Sequence, residues 1–406
     1  VNKYSNELGA VKMRFEFAER MNKLEASVIR EILKVTEKPE IISFAGGLPA
    51  PETFPIEAIK EANQKVLEEN GEKALQYATT EGYNPLRKWI AERMNKTLGA
   101  NFSYENILIT HGSQQGLDFL GKIFLNKDDV VLCESPTYLA AITAFKAYEC
   151  NFIEVPTDKD GMIVDELEKI LKTTKNVKLI YTIPTFQNPT GVTWSIERRK
   201  GVAELADKYN KIVIEDNPYG ELRFKGENLP SLKSFDECGN VVCLGTFSKI
   251  FCPGYRIAWV AAHEEIIEKL VVIKQSTDLQ CNTIAQMDIA KYLELNDIDE
   301  HIETIRELYK KRCDLAVETM EKEFPENVKF NRPDGGLFTW VELPKNIDAR
   351  ELLDECLKHN VAFVPGGPFF PNGGNENFFR INYSNMPEER IVEGLKILGK
   401  ILKEYL

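Results

Sequence analysis

Short apolar runs alternate with helix-like segments through the middle of the chain. The runs are rich in Val, Ile and Leu and end at or near Gly, Pro, Asn or Asp. Strands that are apolar at nearly every position are typical of a mainly parallel sheet with helices over both faces. The pattern predicts seven buried strands, at residues 106–110, 129–133, 152–155, 177–183, 211–215, 241–245 and 256–262. It predicts helices between several of them, at residues 114–125, 139–148, 164–173 and 196–209.

The pattern changes near residue 264. Apolar positions then follow helical spacing to about residue 322, and a second α+β pattern comes after it, with strands at 336–343 and 361–364 and a final helix at 387–405. A helix at residues 24–35 has no strand of its own to cover, so we expect it to pack on this later part. The sequence therefore predicts an α/β fold with a large domain at residues 72–296. A smaller, discontinuous α+β domain would combine residues 1–71 and 297–406.

Composition and charge narrow the class of protein. Of the 406 residues, 43% are hydrophobic and 28% are charged, which excludes collagen-like, disordered and disulfide-scaffold proteins. A net charge of −12 disfavours nucleic-acid binding, because neutralising phosphates requires a basic surface. Eight cysteines without C-x-x-C spacing and four histidines without H-E-x-x-H predict no metal site. We see neither a secretory signal in residues 1–40 nor an apolar run near the ~18 residues of a membrane span, and expect a cytoplasmic protein.

Four motifs follow predicted strands, where α/β sheets bind their ligands. In T-H-G-S-Q-Q-G, residues 110–116, a glycine turn leads into a helix whose first N–H groups attract an anion, although an ordinary cap by Ser113 is the alternative. In Q-N-P-T-G, residues 187–191, the alternative is a plain Pro/Gly loop. The third motif, E-D-N-P-Y at residues 215–219, places Asp216 at a buried strand end, where it needs a cation unless it only caps a turn.

The fourth motif contains a lysine that has hydroxyl side chains and an arginine near it in the sequence. It reads G-T-F-S-K-I-F-C-P-G-Y-R over residues 245–256, so Lys249 lies just past an apolar strand, between hydroxyls and Arg256. A lysine taken in isolation is usually a solvated surface residue. A lysine desolvated near other cations has a lowered pKa and becomes an amine nucleophile.

Taken together, the four motifs predict one site for pyridoxal phosphate (PLP). Lys249 would form the Schiff base with the aldehyde and then move the α-proton, and Asp216 would keep the pyridine nitrogen protonated. Asn188 and Tyr219 would hydrogen-bond the ring hydroxyl. Tyr138 would stack on the ring face, unless it is merely packed there. The residues expected to hold the phosphate are Ser113, Gln114, Thr246, Ser248 and Arg256.

The three motifs that end at Gly191, Tyr219 and Arg256 stand in the order that is found in a known family. The chain resembles the class I/II aminotransferases of PLP fold type I over residues 27–402. Within them it looks most similar to the 2-aminoadipate and kynurenine-type aminotransferases. That similarity lies in I-S-F-A-G-G-L-P (42–49), L-Q-Y (75–77), G-S-Q-Q (112–115), V-A-F-V-P-G (361–366) and F-R-I-N-Y (379–383).

The resemblance implies a homodimer with active sites at the interface, in which Tyr77 reaches the cofactor phosphate of the other subunit. It implies that Arg380 grips the substrate α-carboxylate, a task for which a guanidinium suits better than lysine. It places Gly47 and Asn188 in the substrate site and implies cis bonds at Asn188-Pro189 and Ser135-Pro136. It also implies that Arg30 pairs with a side-chain carboxylate of the substrate, the alternative being an exposed helix arginine paired with a nearby Glu.

The resemblance implies an enzyme that moves an amino group from an amino acid to a 2-oxo acid such as 2-oxoglutarate, in a ping-pong cycle. The expected donors are 2-aminoadipate, aromatic or aliphatic amino acids. A PLP-dependent decarboxylase or lyase on the same fold is one alternative. A non-catalytic PLP-binding sensor, like the aminotransferase-like half of some transcription regulators, is another. Arg380 and the match over nearly the whole chain favour transamination over the first alternative. The segment of only about forty residues before Ile41 and the net acidic charge argue against the second.

Overall fold

Fifteen strands form the β-structure of the protein within residues 15–24 and 38–406, which are the residues that the computed structural model describes. Every residue of the strand Val130–Glu134 is buried, and so is every residue of Ile257–Ala261. Because successive strand residues point to opposite faces, both faces of this part of the sheet are covered. The strands are β1 (Ile42–Ser43), β2 (Ile107–His111), β3 (Val130–Glu134), β4 (Asn151–Val155), β5 (Thr157–Asp158), β6 (Gly161–Met162), β7 (Val177–Thr182), β8 (Ile212–Asp216), β9 (Val241–Thr246), β10 (Ile257–Ala261), β11 (Lys329–Phe330), β12 (Phe338–Glu342), β13 (Val361–Ala362), β14 (Val364–Pro365) and β15 (Phe378–Asn382).

The central sheet contains seven of these strands in the order β2-β10-β9-β8-β7-β3-β4. All neighbours run parallel except β10, which is antiparallel to both β2 and β9. These are the seven predicted strands, each within one residue of its expected ends, so the predicted mainly parallel sheet is confirmed. The long apolar runs carried this prediction because a strand covered on both faces needs apolar residues throughout.

Eleven α-helices lie in the described part of the chain. The helices predicted at 164–173 and 196–209 have those bounds, and the helical region after residue 264 consists of three separate helices. Helix α3 packs against β2, β9 and β10, and α7 packs against α3. None of the helices in residues 15–24 and 38–406 combines the length and apolarity that crossing a bilayer requires. The helices are α1 (Ile56–Ala74), α2 (Asn84–Leu98), α3 (Ser113–Phe124), α4 (Leu139–Lys146), α5 (Val164–Thr173), α6 (Ile196–Tyr209), α7 (Glu264–Thr277), α8 (Thr283–Leu295), α9 (Ile298–Glu323), α10 (Ala349–Lys358) and α11 (Glu388–Tyr405).

A second sheet, β11-β12-β15-β14, is formed by the later part of the chain. The single strand predicted at 361–364 is wrong in one respect, since β13 and β14 bond different neighbours: β13 pairs with β1 and β14 with β15. The pairing of β1 with β13 ties the segment that carries Gly47 to this later part. Of the helix predicted at 24–35, only Leu24 lies within the described residues, where it follows the short 3₁₀ helix Glu19–Lys23. The division into two domains at residues 72 and 296 stays a prediction.

Candidate active site

A cavity of about 720 Å³ opens where β8 and β9 end and where α3 begins. Ligands of open α/β sheets bind at this edge. Tyr77 lies elsewhere, with 80% of its surface exposed, and Arg30 lies outside the described residues. The structure brings twelve of the predicted residues to the cavity wall: Gly47, Ser113, Gln114, Tyr138, Asn188, Asp216, Tyr219, Thr246, Ser248, Lys249, Arg256 and Arg380.

Lys249 lies three residues past Thr246, the last residue of β9, and lines the cavity. Its Nζ donates a hydrogen bond of 2.6 Å to the carbonyl oxygen of Gly47. Burial, together with the positive charges of Arg380 and Arg256, lowers the pKa of Lys249 to about 8. A sizeable fraction of this amine is therefore neutral near pH 8, as a nucleophile or a proton acceptor must be.

Asp216 is the last residue of β8 and is 2% exposed. Its Oδ2 accepts a hydrogen bond of 2.8 Å from the Tyr181 hydroxyl, whereas its Oδ1 is buried with no hydrogen-bond partner. Burial raises the pKa of Asp216 to about 7. A buried carboxylate oxygen without a partner is costly, and a positively charged N–H donor in the cavity would satisfy it. The protonated pyridine nitrogen of PLP is such a donor, so this side chain fits the cofactor.

Arg380, Asn188 and Tyr219 form a hydrogen-bonded chain along another wall. The Arg380 Nη1 donates to Asn188 Oδ1 over 2.7 Å, and Asn188 Nδ2 donates to the Tyr219 hydroxyl over 3.3 Å. The Arg380 Nη2 donates to the carbonyl oxygen of Ala45 over 2.7 Å, and its Nε is buried without a partner. Its guanidinium lies 4.1 Å from the ring centre of Phe338. Burial lowers the pKa of Arg380 to about 10, so the group remains a cation at neutral pH.

A recess of the cavity lies at the start of α3. Gly112 has a φ of +72°, and a Cβ at this position would lie 2.0 Å from Arg256 Nη2, so only glycine lets the arginine approach the turn. The Ser113 Oγ is buried and has no hydrogen-bond partner. The Thr246 hydroxyl donates to the Ser248 Oγ over 2.9 Å beside it. Free helix N–H groups, hydroxyls and a guanidinium together fit the phosphate of PLP.

Two further predicted residues border this recess. The Gln114 side-chain amide donates to the Ala140 carbonyl oxygen over 3.1 Å, which links α3 to α4. Burial, and to a smaller degree the charge of Asp216, raises the pKa of Tyr138. Tyr138 lines the cavity, and its stacking on the cofactor ring stays a prediction. Both expected cis bonds, Ser135-Pro136 and Asn188-Pro189, are present.

Comparison with known proteins decides the family. The profile described as aminotransferase class I and II matches residues 39–398. The chain belongs to this family. Aromatic-amino-acid aminotransferase 1 of Thermococcus litoralis is 48% identical over 394 residues, which cover 96% of this chain and 94% of the relative. These matches confirm the predicted aminotransferase activity and the dependence on PLP.

Solved structures confirm PLP fold type I for this aminotransferase. The kynurenine aminotransferase of Pyrococcus horikoshii, crystallised with PMP, superimposes with a TM-score of 0.92 at 44% identity, covering 96% of this chain and 97% of that one. The α-aminoadipate aminotransferase of Thermus thermophilus, crystallised with N-(5'-phosphopyridoxyl)-L-leucine, gives a TM-score of 0.89 at 41% identity, with the same coverage.

Sequence reasoning about the aminotransferase missed two residues of the site. Tyr181, the partner of Asp216, lies on β7 opposite Ile214 of β8, so Asp216 is two residues further along on the same face. The strand pairing would have revealed it, had the order of the two strands been known. Phe338 lies under Arg380 and contacts the ring of Tyr219 edge-on at 5.6 Å. No local motif marks it, because it comes from β12 in a different sheet.

Proposed function

We propose that this aminotransferase accepts donors with aromatic, aliphatic or 2-aminoadipate side chains and passes the amino group to a 2-oxo acid such as 2-oxoglutarate. The names of its relatives support this breadth: one acts on aromatic amino acids, one on kynurenine, and one is an α-aminoadipate enzyme crystallised with a leucine adduct. The cavity wall agrees with apolar donors, because Leu117, Leu139, Ile183 and Phe338 line it.

One observation carries the assignment of roles. The Lys249 amine, the unpartnered Oδ1 of Asp216 and the unpartnered Nε of Arg380 all belong to side chains that line the same cavity. Unsatisfied buried polar atoms are rare in folded proteins. Two of them, on side chains of opposite charge in one cavity, indicate that the bound molecules supply both a cationic and an anionic group there.

Each residue then has a defined task. When bound, PLP supplies an aldehyde that takes up the amino group and a ring that accepts electrons from the donor Cα. Lys249 Nζ would act as the general base that removes the proton from the donor Cα, and then as the general acid that gives this proton to the cofactor carbon that holds the amino group. Asp216 would keep the ring nitrogen protonated through its negative charge. Asn188 and Tyr219 would hydrogen-bond the ring hydroxyl, and Tyr138 would pack on the ring face.

Arg380 binds the α-carboxylate of the donor. Among the described residues no Asp or Glu carboxylate pairs with it, although it is only 3% exposed. A buried cation without an anionic partner is costly, and a substrate carboxylate compensates for it. The hydrogen bond to Asn188 fixes the guanidinium plane, so the carboxylate meets a preorganised donor.

We further propose a homodimer with Tyr77 directed at the cofactor phosphate of the second subunit. Leu75, Tyr77 and Leu279 are exposed by 73%, 80% and 46%. The backbone N–H of Ala78 donates to the side chain of Gln280, which holds the two segments together. Neighbouring exposed apolar side chains are typical of a subunit interface. The cytoplasmic location stays a prediction from the sequence.

A single half-reaction tests the function. PLP-loaded protein is mixed with one amino acid and no acceptor, and we expect the absorbance to change to that of the amine form of the cofactor without release of carbon dioxide. Adding 2-oxoglutarate should restore the original spectrum. Release of carbon dioxide would indicate a decarboxylase, and an unchanged spectrum with every donor would indicate a sensor.

Lys249→Ala tests the central residue. Borohydride should attach the cofactor covalently to the wild type but not to this variant, and turnover should be almost lost. Lys225→Ala, at a lysine whose side chain is 72% exposed, is the matched control and should behave as wild type. Full activity of Lys249→Ala would show that another group performs the chemistry.

A further inference from the structure

A completely buried lysine lies behind the phosphate recess and has no part in the chemistry described above. Lys274 of α7 is 0% exposed, and its Nζ donates to both carboxylate oxygens of Asp278, each over 2.9 Å. Burying an ion pair costs desolvation energy that its mutual attraction seldom exceeds by much. A methionine of similar volume would fill this place without that cost. The presence of this buried ion pair is therefore better explained by a neighbouring group that its charges position.

The pair holds the side chain of Gln115. Gln115 Oε1 accepts a hydrogen bond of 3.2 Å from Lys274 Nζ, and Gln115 Nε2 donates one of 2.7 Å to Asp278 Oδ2. The positive lysine faces the amide oxygen and the negative aspartate faces the amide nitrogen. The two charges thus permit only one orientation of the Gln115 amide.

Gln115 in turn closes the turn that forms the recess. Its Oε1 also accepts a hydrogen bond of 2.9 Å from the backbone N–H of His111, the last residue of β2. The backbone N–H of Gln115 donates to the Gly112 carbonyl oxygen over 3.2 Å. Residues 112–114 are therefore enclosed between two points fixed by Gln115. This segment includes Gly112, Ser113 and the first backbone N–H groups of α3.

The same cluster contains His111, Asp278 and Cys281, whose ligand atoms lie within 4.8 Å of one another. Such a set could surround a metal ion. Lys274 Nζ lies among them, 2.9 Å from the carboxylate and 3.2 Å from Cys281 Sγ. The ammonium group thus occupies the position that a metal ion would take. The cluster is therefore better explained by a structural role.

We propose that Lys274 and Asp278 are positioning residues: through Gln115 they hold the turn at residues 111–115 in the shape that binds the cofactor phosphate. The proposal rests on the PLP-dependent function proposed above. A turn built on glycine loses much conformational entropy when it is ordered. A turn already ordered by the buried pair does not incur that loss when the phosphate binds, so the affinity is higher.

The test compares PLP with pyridoxal, which has the same ring and aldehyde but no phosphate. Apoprotein of the wild type, Lys274→Met and Gln115→Leu is titrated with each compound, and the dissociation constants are obtained from the absorbance of the bound form. We expect both variants to bind PLP on the order of tenfold more weakly, the size of effect that lost hydrogen bonds to charged groups produce. Pyridoxal should bind all three proteins equally well.

Lys233→Met is the matched control. Lys233 forms another partly buried lysine–aspartate pair, with Asp236 at 2.6 Å, and Asp236 accepts from the backbone N–H of Val241 at the start of β9. This is the opposite end of the strand from the cavity. The control should lower thermal stability and leave both dissociation constants unchanged. The ³¹P NMR signal of bound PLP should shift in Lys274→Met and not in Lys233→Met.

Two results would overturn the proposal. One is an equal loss of affinity for PLP and pyridoxal, which would indicate general damage to the fold. The other is wild-type affinity for PLP in a folded variant. Should Lys274→Met fail to fold, Gln115→Leu gives the same test, because it leaves the ion pair intact. A wild-type protein that binds no PLP would instead refute the proposed function.

Discussion

Replacing Asp216 by asparagine should slow the half-reaction strongly while leaving the fold unchanged. Asparagine has the same size, and its side-chain oxygen can still accept the hydrogen bond of 2.8 Å that Tyr181 donates. What disappears is the negative charge beside the atom that has no partner within the protein. The variant therefore isolates the contribution of that charge to the bound cofactor.

The burial of Asp216, only 2% exposed, sets the magnitude. Removing one member of a buried charge pair costs about 3–5 kcal/mol. At about 1.4 kcal/mol for each factor of ten, the rate should fall by roughly 10² to 10⁴. Tyr181→Phe removes only one hydrogen bond to the carboxylate, worth about 1.5–3 kcal/mol, and should reduce the rate by roughly 10 to 100.

Single-turnover stopped-flow measurements test this order. PLP-loaded wild type, Tyr181→Phe and Asp216→Asn are mixed with saturating donor, and the change of cofactor absorbance is followed. Saturation with PLP, checked by absorbance before mixing, separates weak binding from slow chemistry. A rate for Asp216→Asn within tenfold of wild type, or a slower rate for Tyr181→Phe than for Asp216→Asn, would refute the reasoning.

Three other predictions follow from the same site. Without cofactor, Asp216 keeps its proton up to about pH 7 in the native state, whereas the unfolded chain releases it near the ordinary pKa of 3.8. The wild type should therefore lose stability relative to Asp216→Asn as the pH rises from 4 to 7. At 1.36 kcal/mol per pH unit the upper bound is roughly 4 kcal/mol, measurable by urea unfolding of the two apoproteins, and a constant difference would contradict the buried carboxylate. Gly112→Ala should weaken PLP binding by at least about tenfold, since its Cβ would collide with Arg256; unchanged affinity in an equilibrium titration would show that the recess can widen freely. Arg380→Lys should raise the KM for amino donors about tenfold or more because an ammonium cannot present a planar pair of donors, and steady-state kinetics showing an unchanged KM would remove this residue from carboxylate binding.

The central sheet could be predicted from the sequence because its strands are covered on both faces. Each strand is then a continuous apolar run, as in Val241–Thr246, where every residue is buried. The long helix Ile56–Ala74 was missed for the opposite reason. Only Ala62, Val66 and Ala74 of its nineteen residues are buried, so the sequence shows almost no apolar face. Most of its other residues are polar or charged, as in a surface loop.

The candidate site could be predicted wherever a side chain follows its own strand. Asp216 is the last residue of β8 and Lys249 lies three residues past the end of β9, so the apolar runs predict where both residues lie. Phe338 and Tyr181 could not be found in this way, because their roles depend on which strands become neighbours. The Lys274–Asp278 pair was equally hidden: on a helix, a lysine four residues before an aspartate is an ordinary surface pair. Its burial comes from the packing of α7 on α3 and β2.

The pairing of β1 with β13 has a consequence for biosynthesis. This pairing positions the segment whose Gly47 carbonyl oxygen accepts the hydrogen bond from the Lys249 amine. Asn188 in turn accepts a hydrogen bond from Arg380. Synthesis must therefore continue past Arg380 before all of these contacts can form. A ribosome-bound nascent chain that ends before Val361 lacks the partner of β1 as well as Arg380, although the residues of the phosphate recess up to Arg256 are already synthesised. The complete PLP site is consequently formed only late in the synthesis of each chain.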